Sequence, residues 1–327
     1  MDPNIFKLKN IPLINGSKLS PLLSTTPPPR LLKFGFNNIT EQLNIPSLTS
    51  VPYYRAGLNF DFERTDKESF SVKSKKIFPI ESFNIIFASV WEIFTLWNIL
   101  KTPQKIQTND TSLIDDIIAS NKNSHQHQMT KNSATLSVQI FSPVDLDENA
   151  LTIIITNYLP SIIDKLEKNS TLLIQLFSIQ TQITAELVNY LSSLFNEGYL
   201  IKTSVTSDLS DMKFLLLIGL KEKTTLANIS SSDNSYVESI GLSNLDNTII
   251  QCMNSVVIPK KYKKFNQIKK FLDLKVFEGI TYDELIQKQN LYTKEWIQTY
   301  TTNTDLSEKL NSLLEKNNSF CDNKLEI

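Results

Sequence analysis

The chain has 327 residues, 41% apolar and 20% charged, with 33 Lys+Arg against 34 Asp+Glu for a formal net charge of -1. That composition excludes wholesale disorder and accommodates one large domain with extensions or two smaller ones. A charge near zero gives no whole-molecule field for nucleic acid, so only a local basic patch can serve one.

Glycine excludes more. There are 7, about 2% of the chain, against a usual ~7%. Gly16, Gly35, Gly57, Gly198, Gly219, Gly241 and Gly279 are too widely spaced for a GxG, GxGxxG or P-loop pattern. Loops that cradle phosphates need glycine because only glycine lets the backbone approach the ligand closely. Cys252 and Cys321 lie far apart in sequence, with neither CxxC nor Cys/His spacing. A zinc site or disulfide framework is not expected, and a reducing intracellular setting fits. The segment 82–100 is broken by Asn84, Ser89, Glu92 and Asn98, and no run reaches the roughly 18–20 apolar residues of a membrane span. The opening MDPNIFKLKN lacks the apolar core of a signal peptide.

In chain order, residues 1–60 are rich in Pro, Ser, Thr and Asn, and STTPPPRLL (24–32) cannot be helical. This region reads as an irregular arm packed on the domain or on a partner. SFNIIFASVWEIFTLWNIL (82–100) has helical spacing, with Ser82 as the N-cap. Residues 102–131 read as a polar loop insertion holding one short helix, LIDDIIA (113–119). ATLSVQIF (134–141) alternates as a strand, and 147–169 is a helix that Pro160 can kink. TLLIQLF (171–177) is a buried strand. TQITAELVNYLSSLFNEG is an amphipathic helix that Gly198 should stop. YLIKT (199–203) and KFLLLIGLK (213–221) follow as strands, the second apolar enough to lie inside the sheet. Residues 243–314 are helical and should cap the sheet. The predicted organisation is an arm (1–78), an α/β domain (79–225) and a helical extension (226–327).

Few residues carry chemistry on their own. His125 and His127 form HQH in the polar loop with no acidic or Cys neighbour, and read as solvated. Asp110, Asp115 and Asp116, like Asp145, Asp147 and Glu148, read as acids at helix N-termini, where the dipole favours them. The run PKKYKKFNQIKKF (259–271) interleaves lysines with aromatics, a pattern that can hold phosphate and stack bases. Lys260, Lys261, Tyr262, Lys263, Lys264, Phe265, Lys269 and Lys270 are the residues it offers for RNA contact. A solvated helix face is the plainer reading of the same run. KSKKI (73–77) adds a smaller basic patch.

The stretch from Thr171 to Lys221 resembles the C-terminal half of the FtsJ/RrmJ-type 2′-O-ribose RNA methyltransferases, above all those of large cytoplasmic DNA viruses. Where that family has "GGxxILKxF", "LLSSLFxE" and "vYLyKPxTSRpxNSEkYlV", this chain has NSTLLIQLF, LVNYLSSLFNEGYLIKTSVTS and SDMKFLLLIGLK. ASVWEIFTLWNIL (88–100) resembles the family's "LKLWEIL" helix, and QKQNLYTKEWIQTY (287–300) resembles the helical end of the viral members. The resemblance implies a Rossmann-like methyltransferase sheet flanked by helices, with the irregular arm before it and the helical extension after it.

It also implies a Lys-Asp-Lys-Glu tetrad and S-adenosylmethionine as cofactor, and here the chain departs. The first lysine falls on Ser89, the second on Gln175 and the glutamate on Met212. The aspartate of "SDGG" has no secure counterpart in FSPVDLDE. The cofactor loop, "AEAPGGF" in the family, falls near TNDTSLIDD, which has no glycine. Gln175 cannot act as a base, and Met212 can neither orient nor stabilise charge. The expectation is a degenerate, non-catalytic member with no cofactor and no metal. Its role would be structural or regulatory, beside an active capping or methyltransferase enzyme or a virion component. The alternative is an active S-adenosylmethionine-dependent RNA 2′-O-methyltransferase with a rebuilt site, for which Lys202 and Lys213 are the first candidates. The cytoplasm of an infected host cell, or the virion, is the expected location.

Overall fold

The computed structural model describes residues 2–9, 22–24, 78, 85–101, 105–108, 111–124, 137–141, 155, 157–158, 161–164, 166–208, 210–221, 236–242, 246–274, 280–301 and 305–325. The strands are β1 (Asn4–Lys7), β2 (Leu22–Ser24), β3 (Lys105–Thr108), β4 (Ser137–Phe141), β5 (Thr171–Leu176), β6 (Phe195–Lys202), β7 (Lys213–Leu220) and β8 (Tyr236–Ser239). The helices are α1 (Ile85–Leu96), α2 (Thr111–Ser124), α3 (Gln182–Leu194), α4 (Thr248–Leu274), α5 (Ile280–Thr301) and α6 (Ser307–Leu325).

Six strands form one sheet in the order β1-β6-β7-β5-β4-β3, and β2 pairs with β8 apart from it. β3, β4 and β5 pair parallel. β7 is antiparallel to both β5 and β6, so β5 and β6 run the same way. β1 is antiparallel to β6. The protein is therefore mixed α/β, a sheet flanked by helices, as the sequence leads one to expect. Its antiparallel half, β5-β7-β6-β1, departs from the mostly parallel order of a doubly wound Rossmann sheet.

Both faces of the sheet are buried, which explains the near-continuous apolar text of β5 and β7. Successive side chains alternate between the faces. Leu172, Ile174, Leu176, Leu200, Leu215 and Leu217 enter one cluster with α3 and the start of α4. Leu173, Tyr199, Ile201, Phe214 and Leu216 enter the other, with α1, α2, α5 and α6. Each such side chain, buried from water, contributes about 1.5–3 kcal/mol.

Several boundaries differ from expectation. The helix before β6 stops at Leu194, not Gly198, and Gly198 pairs with Leu217 inside the strand. The ladder to β7 recruits Phe195 and Glu197 into the sheet before the glycine is reached. A Cβ at 198 would lie 2.6 Å from Ser192 Oγ, so a larger residue there would have to turn that hydroxyl aside. Thr181 caps the start of α3, its hydroxyl accepting from the Thr184 N–H at 3.4 Å. Part of the polar insertion is ordered structure: 105–108 is the outermost parallel strand and 111–124 a helix. Part of the N-terminal arm is strand β1 of the main sheet. Within the stretch expected to be helical, Thr248–Leu274 is one helix, α4, which carries Pro259 inside it. Ser82, Pro160, KSKKI and all of STTPPPRLL except Ser24, the last residue of β2, lie outside the described residues.

Cys252 and Cys321 form a disulfide across 69 residues, with Cα atoms 5.7 Å apart. This corrects the expectation of two separate thiols. Their spacing is a property of tertiary packing, which brings α4 and α6 together beside β1, and no local motif encodes it.

Candidate functional site at the strand ends

The carboxyl ends of β3–β6 lie at one end of the sheet, where open α/β sheets bind their ligands. The positions that the sequence resemblance matches to a tetrad fall there. Gln175 is near the end of β5, Met212 immediately precedes β7, and Ser89 lies on α1; all three are buried. The text matched to the cofactor loop falls on the junction between β3 and α2, leaving only residues 109–110 between strand and helix. Asp115 and Asp116 lie one turn inside α2, which has no acid in its first turn.

Strand alternation decides what surrounds Gln175. Its cross-strand partner is Phe214, and both Phe214 and Met212 belong to the α1 face. Lys202 follows Ile201, and Lys213 precedes Phe214, so both lysines point to the opposite face. They are 1% and 2% exposed. Lys202 Nζ donates to Ser210 O at 2.7 Å and Met212 O at 3.5 Å. Lys213 Nζ donates to Phe177 O at 3.2 Å and Asp211 O at 3.1 Å. Two ammonium groups thus tie the loop before β7, and the residue after β5, to the sheet.

Asp211 is their counter-ion. Its carboxylate is 2.7 Å from Lys261 Nζ on α4. Burial alone pushes the Asp211 carboxyl up, but Lys213, Lys261 and Lys202 outweigh it and hold it below the ordinary carboxylate value. A carboxyl lowered by folding stabilises the fold fully above its unfolded value of 3.8, and that contribution is lost as pH falls through the lower folded value. Asp211→Asn should therefore cost about 1 kcal/mol at neutral pH, a figure reduced for solvent screening of a carboxylate that is about a third exposed. Urea unfolding of both proteins at falling pH should show that difference shrinking towards zero in acid.

The α1 face is closed by the C-terminal helices. Glu92, on α1 one turn after Ser89, is fully buried. Its carboxylate accepts from Ser204 N–H at 2.8 Å, Ser204 Oγ–H at 2.6 Å and Trp296 Nε1–H at 2.8 Å. Trp91 Nε1 donates to Tyr300 O at 2.8 Å, and Tyr292 OH to Ser204 O at 3.2 Å. Ser89 shares a hydrogen bond with Thr203 at 2.9 Å, and Thr203 with Thr206. Phe78, Phe87, Trp91, Trp296 and Tyr300 form an aromatic stack around this network. Burial, then the Glu92 carboxylate, pushes the Tyr300 phenol well above its ordinary value. The arrangement locks α1, the segment after β6 and α5 together, with hydroxyls, a carboxylate and indoles already bonded to one another.

Glu92 was read from sequence only as a break in an apolar run. An acid inside VWEIF is a signal in itself, because a buried carboxylate must find donors. Glu186 on α3 carries the same signal. It is 2% exposed and accepts from Ser239 Oγ, Ile240 N–H and Gln182 Nε2.

The basic run on α4 is partly spent inside the molecule. Lys260 reaches Asn4 Oδ1 at 3.0 Å, Lys261 pairs with Asp211, and Lys264 is 3% exposed. Lys263 is exposed and Tyr262 is half-buried. The side chains of Phe265, Lys269 and Lys270 lie outside the described residues, as do His125, His127, Asp145 and Asp147. Among the described residues, no cluster of His, Cys, Asp and Glu could hold a metal ion, and no helix is long and apolar enough to cross a membrane.

Sheet, flanking helices and the sealed α1 face define a mixed α/β protein with a helical C-terminal cap. No family model matches the chain. It is similar to the uncharacterized protein R383 of Acanthamoeba polyphaga mimivirus, 37% identical over 341 residues that cover 98% of this chain and 96% of that protein. The chain belongs to the family of that mimivirus protein.

Proposed function

We propose that the protein is an FtsJ-like methyltransferase fold without its chemistry, serving as a structural or regulatory subunit of a viral RNA-capping or virion assembly. The observation that carries this reading is the face assignment at the strand ends. Gln175 and Met212 occupy the α1 face, while Lys202 and Lys213 are on the other side of the sheet with their ammonium groups on main-chain carbonyls. A lysine cannot replace the one missing at Gln175 through the sheet. The rebuilt-site alternative has no lysine among the described residues of β5, β6 or β7 on the required face.

The order of elements supports the fold half of the proposal. The text matched to the cofactor loop lies between β3 and α2, and the text matched to the aspartate region follows β4. The tetrad positions on β5 and before β7 follow in turn. These are strand-end positions where a transferase of this fold keeps its site. The viral relative supports the setting, either the infected cell or the particle. Lys260 and Lys263 are exposed among the described side chains of the basic run, and Lys263 is the first residue to vary for RNA contact.

The test is methyl transfer from labelled S-adenosylmethionine to capped RNA by the full-length chain. No transfer above a protein-free control is expected. Turnover that survives Gln175→Ala but is lost in Lys202→Ala or Lys213→Ala proteins of wild-type stability would establish the rebuilt enzyme instead.

A further inference from the structure

We infer that Cys252–Cys321 is a reducible clasp whose opening frees the C-terminal end of α6 from the outer edge of β1 while the rest of the sheet stays folded. Among the described residues β1 pairs with β6 alone, so its other edge faces α6. Asn317 Nδ2 donates to Ile5 O at 2.8 Å on that edge, and Lys309 pairs with Asp2 at 3.6 Å. A helix laid along a strand edge hides backbone groups that would otherwise accept another strand.

The two halves of α6 are held differently. Its start is fixed by the buried Leu306 and Leu313 and by Asp305, which accepts from Ser307 N–H and Asn98 Nδ2. From 315 to 321 only Cys321 is fully buried; Asn317, Asn318 and Phe320 are half-buried, and the others are exposed. The disulfide is the covalent tie on that end, beside Phe320 packed on the core and Asn317 bonded to Ile5 O. Cys252 sits in α4 among Ile249, Ile250, Met253 and Val257, all buried, so the α6 side is the side that can leave. A segment with few buried apolar contacts opens at low free energy once its cross-link is gone.

The chemistry needs a thiol reductant such as glutathione. One reductant thiolate attacks a sulfur of the pair, the Cys252–Cys321 bond breaks, and the displaced thiolate takes a proton. A second reductant thiolate then attacks the mixed disulfide, releasing the other chain thiolate, which is protonated in turn. The chain gains two electrons and two protons, and the reductant leaves as its disulfide. Both sulfurs are buried, at 5% and 2% exposure, so attack follows local opening. A chain oxidised outside the cytosol and delivered into it would pass from the clasped form to the open one.

Hydrogen exchange on the full-length chain, oxidised and after reduction by glutathione, tests this, with maleimide labelling to count thiols. Reduction should expose two thiols. It should speed amide exchange at least ~10-fold in 315–321 and in 4–7, and leave β5 and β7 unchanged. The double variant Cys252→Ser with Cys321→Ser should show the same pattern without reductant; if it fails to fold, the reduced wild-type protein decides. Unchanged exchange on reduction overturns the inference, as does loss of protection in all strands together. Two free thiols in oxidised glutathione would overturn it at the first step.

Discussion

Glu92→Ala should destabilise the protein by about 3–5 kcal/mol, because it removes a buried charged acceptor from three donors at once. Ser204 N–H, Ser204 Oγ–H and Trp296 Nε1–H would lose their partner in a site that water does not reach. Each unpaired donor costs about 1–3 kcal/mol, and the truncated side chain leaves a cavity beneath Trp296. Glu92→Gln is the informative companion. One amide oxygen replaces two carboxylate oxygens, so at least one donor is orphaned and the loss should be about 1–2 kcal/mol. Urea unfolding followed by tryptophan fluorescence reads both, since Trp91 and Trp296 flank the carboxylate. A Glu92→Ala protein as stable as wild type would show that α5 does not seal this face.

Lys213→Ala should cost a similar amount, about 3–5 kcal/mol. The buried ammonium holds Phe177 O and Asp211 O, and it is the first of the cations that lower Asp211. Its loss leaves two carbonyls without that donor and moves the Asp211 carboxyl up towards its ordinary value. Carboxylate titration by carbon-detected NMR should register the second effect. A catalytic lysine predicts the reverse pattern, lost activity with little lost stability, so this variant separates the two roles.

The middle of the sheet was legible because β5 and β7 are apolar on both faces, and such runs need no partner to be recognised. α1 and the C-terminal helices were legible from their period. β3 was not, because KIQT is short and half polar, as an outermost strand can be. β1 was hidden in a region whose prolines and serines signal irregular chain, and its pairing with β6 is a contact between segments far apart in sequence. The end of α3 was misplaced because Gly198 is a sound stop signal locally, yet the β7 ladder claims Phe195 first. The disulfide was invisible because nothing near Cys252 or Cys321 announces the other.

At the candidate site, Ser89, Gln175 and Met212, which stand where the resemblance expects Lys, Lys and Glu, were readable one position at a time. The status of Lys202 and Lys213 was not. Lys213 pairs with Leu176 beside Gln175 and Lys202 lies one strand further on, and only the registers of Phe214 with Gln175 and Ile201 show that both point to the opposite face. Glu92 was overlooked because a lone acid in an apolar helix reads as an interruption until its donors, Ser204 and Trp296, are known to fold back onto it.

Titration calorimetry of the full-length chain with S-adenosylmethionine, and with S-adenosylhomocysteine as second ligand, tests the proposal of a methyltransferase-like fold without its cofactor chemistry. No saturable heat is expected for either ligand up to high micromolar concentration. One-site binding at low micromolar concentration would contradict it, showing that the glycine-free connection between β3 and α2 still holds the cofactor.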